Sequence, residues 1–118
     1  MSRLRLAPEH LPDGRYRLRV LDARDTTSRS GHPTLRVTLA VAGGPHAGHP
    51  ITCCYSLLPQ ALWHLRRLLR AAALTHGADE LDTADLVDVV LDAYVTSRPS
   101  QYGPPLCDLH DESQVTYP

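Results

Sequence analysis

Six arginines between positions 15 and 36 carry the chemistry written most plainly in this chain: Arg15, Arg17, Arg19, Arg24, Arg29 and Arg36. A guanidinium is always charged, planar and able to fork onto phosphate or lie on a ring, so a row of them suits a polyanion. In the first stretch Arg15, Arg17 and Arg19 alternate with Tyr16, Leu18 and Val20. A period of two puts the guanidinium groups on one face of a strand and the apolar side chains on the other. Thr34–Val41 repeats the pattern, with Leu35, Val37, Leu39 and Val41 pointing one way and Thr34, Arg36 and Thr38 the other. Between them Asp22–Pro33 reads as a polar tip holding Arg24 and Arg29, long for a hairpin connection and therefore a candidate functional loop. Arg15–Val41 is thus expected to be a basic β-hairpin. Arginines on the outer face of a strand are also what an ordinary solvated surface carries, and that reading stands beside the first.

A surface that tracks a single nucleic-acid strand needs rings for its bases as well as charge for its phosphates. The aromatic residues are Tyr16, Tyr55, Tyr94, Tyr102, Tyr117 and Trp63, with no Phe. Tyr102 lies in the Pro-, Ser- and Gly-rich turn Arg98–Pro105 and is the best stacking candidate, while Tyr55 is ambiguous between core and binding surface. Tyr16 is expected in the core beside Leu18. Trp63 sits on the arginine arc of the helix, one turn from Arg67 and two from Arg70; it is expected to straddle the boundary and pack against the barrel rim, with stacking on a ligand as the alternative. Cys107-x-x-His110 has metal-ligand spacing and Cys53-Cys54 lies upstream, but adjacent strand residues face opposite ways, so no metal is expected. No phosphate-binding glycine loop, nucleophile elbow or paired catalytic carboxylate is present, and no enzymatic activity or cofactor is expected. Asp82, Asp85 and Asp88 recur at intervals of three, where acids favour a helix start.

The elements that would hold these residues read as a single domain over 1–118, with residues 1–13 as a lead-in arm or edge strand. Asp13-Gly14 turns into the first strand, and Gly43-Gly44-Pro45 with Ala47-Gly48 connects the second to a third, Ile51–Leu57. Pro59 opens a helix whose apolar arc holds Ala61, Leu62, Leu65, Leu68, Leu69 and Ala72, with Arg66, Arg67 and Arg70 opposite and Gly77 as the stop. Ala78–Val87 reads as loop and one helical turn capped by Asp82. Val89–Thr96 is a fourth strand, and Leu106–Tyr117 a fifth, broken near Asp111–Ser113. The order β-β-β-α-β-β is that of an OB-fold, a five-stranded Greek-key barrel; another five-stranded arrangement with a flanking helix remains open. No membrane span or signal segment is legible, and three cysteines without a pairing pattern fit a reducing, cytoplasmic setting.

Leu11-Pro12-Asp13-Gly14-Arg15-Tyr16 followed by Thr27-Ser28-Arg29-Ser30-Gly31, Gly44-Pro45-His46-Ala47-Gly48 and the helix Ala61–Leu69 resembles a family of small phage and mobile-element proteins. That family is OB-fold and single-stranded-DNA-binding-like, and the resemblance covers about residues 11–97. It implies single-strand binding in replication or recombination; with the residue pattern above, the expectation is a non-catalytic protein whose Arg15, Arg17, Arg19, Arg24, Arg29, Arg36, Tyr55 and Tyr102 meet single-stranded DNA or RNA. Asp88-Val89-Val90 stands where family members carry glycine and basic residues.

Charge distribution supports a rival from another class. All twelve basic residues are arginine, and residues 1–70 hold eleven of them against four acids, a net of +7. Residues 71–118 hold one against nine, a net of −8. Such a split would also suit an adaptor that docks its basic hairpin on a replication, recombination or defence protein, or on the acidic half of another copy.

Overall fold

A computed structural model describes residues 11–28, 30–72, 83–98 and 106–114. Its elements are β1 (Gly14–Thr27), β2 (Pro33–Val41), β3 (Pro50–Ser56), α1 (Leu62–Ala71), β4 (Val90–Arg98) and β5 (Leu106–Gln114). The strands form one five-stranded antiparallel sheet in the order β3-β2-β1-β4-β5. β1 is the spine: Gly14 to Arg19 pairs with β4, and Leu18 to Thr27 pairs with β2. The alternation read from the sequence is realised, with Leu18, Val20, Leu35, Val37, Leu39, Val41, Leu91, Ala93 and Val95 buried on the inner face. Fully burying one such leucine or valine is worth roughly 1.5–3 kcal/mol over leaving it in water.

β1 runs further than expected and takes in most of the loop foreseen at Asp22–Pro33; only 28–32 separates it from β2. The extension depends on a bulge at Leu21, where the register steps from Val20↔Leu39 to Asp22↔Thr38. One extra residue reverses the phase of everything beyond it. Even-numbered residues face inward before the bulge, and Ala23 faces inward after it. Arg24, which strict alternation would bury, therefore joins Arg15, Arg17 and Arg19 on the outer face. Thr34, expected outside, is buried and donates its hydroxyl to the His32 carbonyl at 3.3 Å. Gly44 and Gly48 hold positive φ in the β2–β3 turn, where other L-residues would be strained.

The sheet is not closed into the barrel that was expected. Its edge strands β3 and β5 curl together and pack, and α1 lies across both. No ladder joins those edges among the described residues. Side chains fill the seam instead: the Leu109 carbonyl of β5, an acceptor a closing ladder would use, takes a 3.1 Å hydrogen bond from Arg67 Nη2 of α1.

Pro59 begins a 3-10 turn, Pro59–Ala61, that leads directly into α1. Leu65, Leu68 and Ala71 are buried, and Ala61, Leu62, Leu69 and Ala72 half-buried, as the apolar arc required. The helix ends at Ala71, where the Ala72 N–H reaches the Leu68 carbonyl at 3.0 Å. The expected stop at Gly77 and cap at Asp82 lie outside the described residues. A second 3-10 turn, Thr83–Leu86, packs on β1 and buries Leu86 completely. Leu57 follows β3 rather than belonging to it. β5 carries the foreseen irregularity, with Asp111 at φ 51 and a register shift opposite Ala93. Among the described residues no helix is long and apolar enough to cross a membrane.

Candidate functional site

The outer face of the sheet divides along β1. Toward β4 and β5 the arginines meet acids and acceptors. Arg17 Nε lies 3.2 Å from Asp92 Oδ1, and Arg19 Nε 4.0 Å from Asp88 Oδ1. Asp88 is set in place by its backbone: it holds φ 70, and its N–H donates to the Val20 carbonyl at 2.8 Å. Arg15 donates to the Asp111 carbonyl at 3.1 Å and the Ser113 hydroxyl at 2.6 Å. Exposed pairs of this kind add about 0–1 kcal/mol each to stability. Their larger effect is on the field, because each carboxylate cancels charge that a polyanion would otherwise feel.

Toward β2 and β3 the face is different. Arg24 stands directly opposite Arg36 across the β1–β2 ladder, and Arg36 opposite Cys54 across the β2–β3 ladder. Both arginines are exposed, and neither β2 nor β3 contains an acid. Arg24 Nε holds Asp22 Oδ2 at 2.6 Å, an ion pair between next-nearest neighbours on the same strand. Two like charges directly opposite one another on a sheet are unfavourable, and an anion between them removes the penalty.

At the β3–β5 seam the surface falls into a cleft of about 330 Å³ whose walls include Cys54, Ser56, His64, Arg67, Arg98 and His110. Arg98 Nε is 3.2 Å from Asp108 Oδ2 there. Below the cleft lies a polar interior. Arg67 Nε meets Glu112 Oε2 at 3.0 Å, and the Glu112 side chain is wholly removed from solvent. The bulge at Asp111 explains this: it lets two residues face one, turning Glu112 inward under α1. Arg67 was expected on the solvent side of the helix, and this buried carboxylate draws it in. Neither the Tyr55 hydroxyl nor Glu112 Oε1 has a hydrogen-bond partner among the described residues. Burial holds the Tyr55 phenol well above its ordinary value, with Cys53 and the Glu112 charge adding to the rise and Arg67 opposing it. Burial likewise raises the Cys53 and Cys107 thiols.

Beside the cleft, α1 turns Trp63 outward with 56 % of its surface exposed. The indole stacks on His64 with ring centroids 3.5 Å apart, and the Arg67 guanidinium lies 5.5 Å from its centre. Trp63 therefore lies on the arginine arc that the helical spacing gave it but does not pack against the rim as expected, because Leu62 and Leu65 already fill the inner side of that turn.

Of the residues selected from sequence, Arg15, Arg17, Arg19, Arg24 and Arg36 share the outer face. Arg29 and Tyr102 lie outside the described residues. Tyr55 is 8 % exposed and points into the core, so its ring offers no stacking surface. The period of two already placed it with Ile51 and Cys53. Tyr16 is half-buried against the core and donates its hydroxyl to the Pro12 carbonyl at 2.6 Å. Tyr94, 41 % exposed between Arg15 and His110 across its two ladders, is the ring the outer face presents. Cys53 is buried and Cys54 half-buried on the opposite face, and Cys107 is buried while His110 is exposed. No group of three or more His, Cys, Asp or Glu among the described residues is placed to hold a metal ion.

No protein-family model matches this chain, and no curated protein matches it.

Proposed function

We propose that this protein binds single-stranded nucleic acid, single-stranded DNA foremost, on the outer face of its sheet, as a non-catalytic module of the OB type left open at the β3–β5 seam. The strand order, the antiparallel sense of every pairing and the helix laid across the seam support the fold reading. The observation that carries the function is the opposed pair Arg24 and Arg36 beside two acid-free strands. A row of phosphates meets this part of the face without displacing a carboxylate from another strand. Affinity on such a surface comes from released counterions and falls steeply with salt. The place in replication or recombination rests on the family resemblance alone. The rival reading is an adaptor that docks the same basic hairpin on protein; three acids of the second half already pair with arginines of the first within one chain, at Arg17–Asp92, Arg19–Asp88 and Arg67–Glu112.

The test is fluorescence anisotropy of a labelled single-stranded oligonucleotide titrated with protein across a salt series, with duplex as competitor. Tight binding that duplex does not displace is the expected result. In Arg24→Ala/Arg36→Ala the affinity at low salt falls about ten-fold, and the log–log salt slope flattens by about 1.4, since each phosphate contact on a single strand contributes about 0.7. An unchanged slope would place the binding surface elsewhere, and no binding at low salt would overturn the proposal.

A further inference from the structure

We propose a second contact in the same interaction: Trp63 of α1 is a stacking platform for a base of the bound strand, reached by passing from the sheet face over the β3–β5 cleft. This inference rests on the nucleic-acid reading and names a surface that the strand arginines do not include.

The path follows from the cross-strand registers. Arg24 stands opposite Arg36, and Arg36 opposite Cys54. Cys54 and His64 line the same cleft, and His64 stacks on Trp63. Arginine, cleft and indole therefore follow one another across the surface from β1 to α1. Along the helix, Trp63, Arg66, Arg67 and Arg70 recur at intervals of three, four and seven, which sets them on one stripe. Arg67 is committed to Glu112, whereas Arg66 and Arg70 are exposed and no acid pairs with them among the described residues. α1 contains no acid at all. An exposed indole flanked by positive charge that no acid among the described residues matches is a poor arrangement for water and a good one for a polyanion with flat apolar rings. A single strand has both properties. In a duplex the faces of the bases are already stacked, so the platform selects for unpaired bases.

An acidic peptide would satisfy the arginines but carries a ring only where its sequence supplies one, whereas a nucleic-acid strand offers a flat ring beside every phosphate. The choice of nucleic acid rests on that stack and on the continuity with Arg24 and Arg36.

Trp63 is the only tryptophan in the chain, so its emission reports on this position alone. The experiment titrates the full-length protein with an oligothymidylate and with an abasic oligonucleotide of equal length, recording tryptophan emission and anisotropy of the labelled strand together. Quenching by the oligothymidylate in step with the anisotropy rise, and little quenching by the abasic strand, is the expected result. Trp63→Ala weakens binding at least about five-fold, and Trp63→Phe restores most of it. Because the side chain is largely exposed, both variants should keep the wild-type melting transition, which circular dichroism checks. If anisotropy rises without quenching and Trp63→Ala binds like wild type, the helix platform is overturned while the sheet-face reading stands. Equal quenching by both strands would overturn stacking in favour of backbone contact near the helix. Absence of any anisotropy change would overturn both readings.

Discussion

Two groups of arginines in this protein share a residue type and differ in what faces them. Arg24 and Arg36 meet each other across a ladder whose far side has no acid. Arg17, Arg19 and Arg67 each meet a carboxylate supplied by the second half of the chain. Arg24 pairs only with Asp22 of its own strand and Arg36 with no acid among the described residues, so this end of the face lacks the cross-strand acids that make Arg17, Arg19 and Arg67 structural or screened partners. Register decides which group an arginine joins: the extra residue at Leu21 brings Arg24 opposite Arg36, and the bulge at Asp111 turns Glu112 toward Arg67. Arginine count along the chain says little about a binding surface until the neighbours across the ladders are known.

Arg67 is the extreme member of the paired group, and removing it should give the largest effect. Its partner Glu112 is fully buried, so Arg67→Ala leaves a carboxylate without a countercharge and the Leu109 carbonyl without a donor. Breaking a buried pair from one side costs about 3–5 kcal/mol, and with Arg67 itself one-third exposed the lower figure is expected. Urea denaturation measures it. Arg67→Met/Glu112→Gln should recover most of the loss, because the cost lies in the orphaned charge. If the single variant is as stable as wild type, the Arg67–Glu112 pair is not the strut of the seam. Arg24→Ala, by contrast, should leave stability within about 0.5 kcal/mol of wild type.

The sequence made the strands and the helix legible because each buries one face, and burial writes a period of two or of about 3.6 into the chain. Leu35 to Val41 and Leu65 to Leu68 were placed correctly for that reason. The bulge at Leu21 was illegible: Val20-Leu21-Asp22 has no glycine or proline to mark it, and only the later burial of Ala23 reveals the change of phase. The irregularity near Asp111 was legible from the break in alternation, but its consequence was not. Turning Glu112 beneath α1 and drawing Arg67 inward depends on two elements far apart in sequence. Half of the candidate surface, the arginine alternation, was therefore visible, while the division of that surface by acids of β4 and β5 needed the sheet order. Trp63 was placed on the correct arc, but its packing against the rim was not met, because helical spacing gives an angle around the axis and says nothing of how much room the sheet leaves there.

Tyr55 probes the polar interior that Arg67 and Glu112 create. Its hydroxyl is buried without a partner among the described residues, so Tyr55→Phe should stabilise the protein by about 1 kcal/mol. The alkaline limb of stability should change as well. Burial raises Tyr55, Cys53 and Cys107 above their unfolded values of 10.0 for the phenol and 9.0 for the thiols, so the folded state favours the protonated forms. Their contribution is complete below about pH 9 and is lost as pH rises toward the folded values, at up to about 1.4 kcal/mol per pH unit for each group. Denaturant midpoints should hold steady from pH 7 to 8.5 and fall above 9, less steeply in Tyr55→Phe. An identical alkaline decline in that variant would mean that Tyr55 titrates normally.

The smallest expected effect bears most directly on the comparison between the two groups. Asp88→Asn and Asp92→Asn remove the carboxylates beside Arg19 and Arg17 while keeping side chains of nearly the same shape. If those acids screen the β1 arginines, the double variant leaves Arg17 and Arg19 without these two carboxylates, as Arg24 and Arg36 are without an acid from another strand. Affinity for single-stranded oligonucleotide should then rise about three-fold at low salt, and the salt slope should steepen by about 1.4 as two more phosphates are engaged. Stability should drop by no more than about 1 kcal/mol, since both pairs are exposed. A rise in affinity that vanishes in Arg17→Ala/Arg19→Ala would show that loss of these two carboxylates beside Arg17 and Arg19, and not a general shift in net charge, made the difference. Equal gains with and without those arginines would instead mean that distance to the whole negative field matters more than any one pair. Arg24 and Arg36 would then owe their role to position at the acid-poor end of the sheet rather than to facing one another.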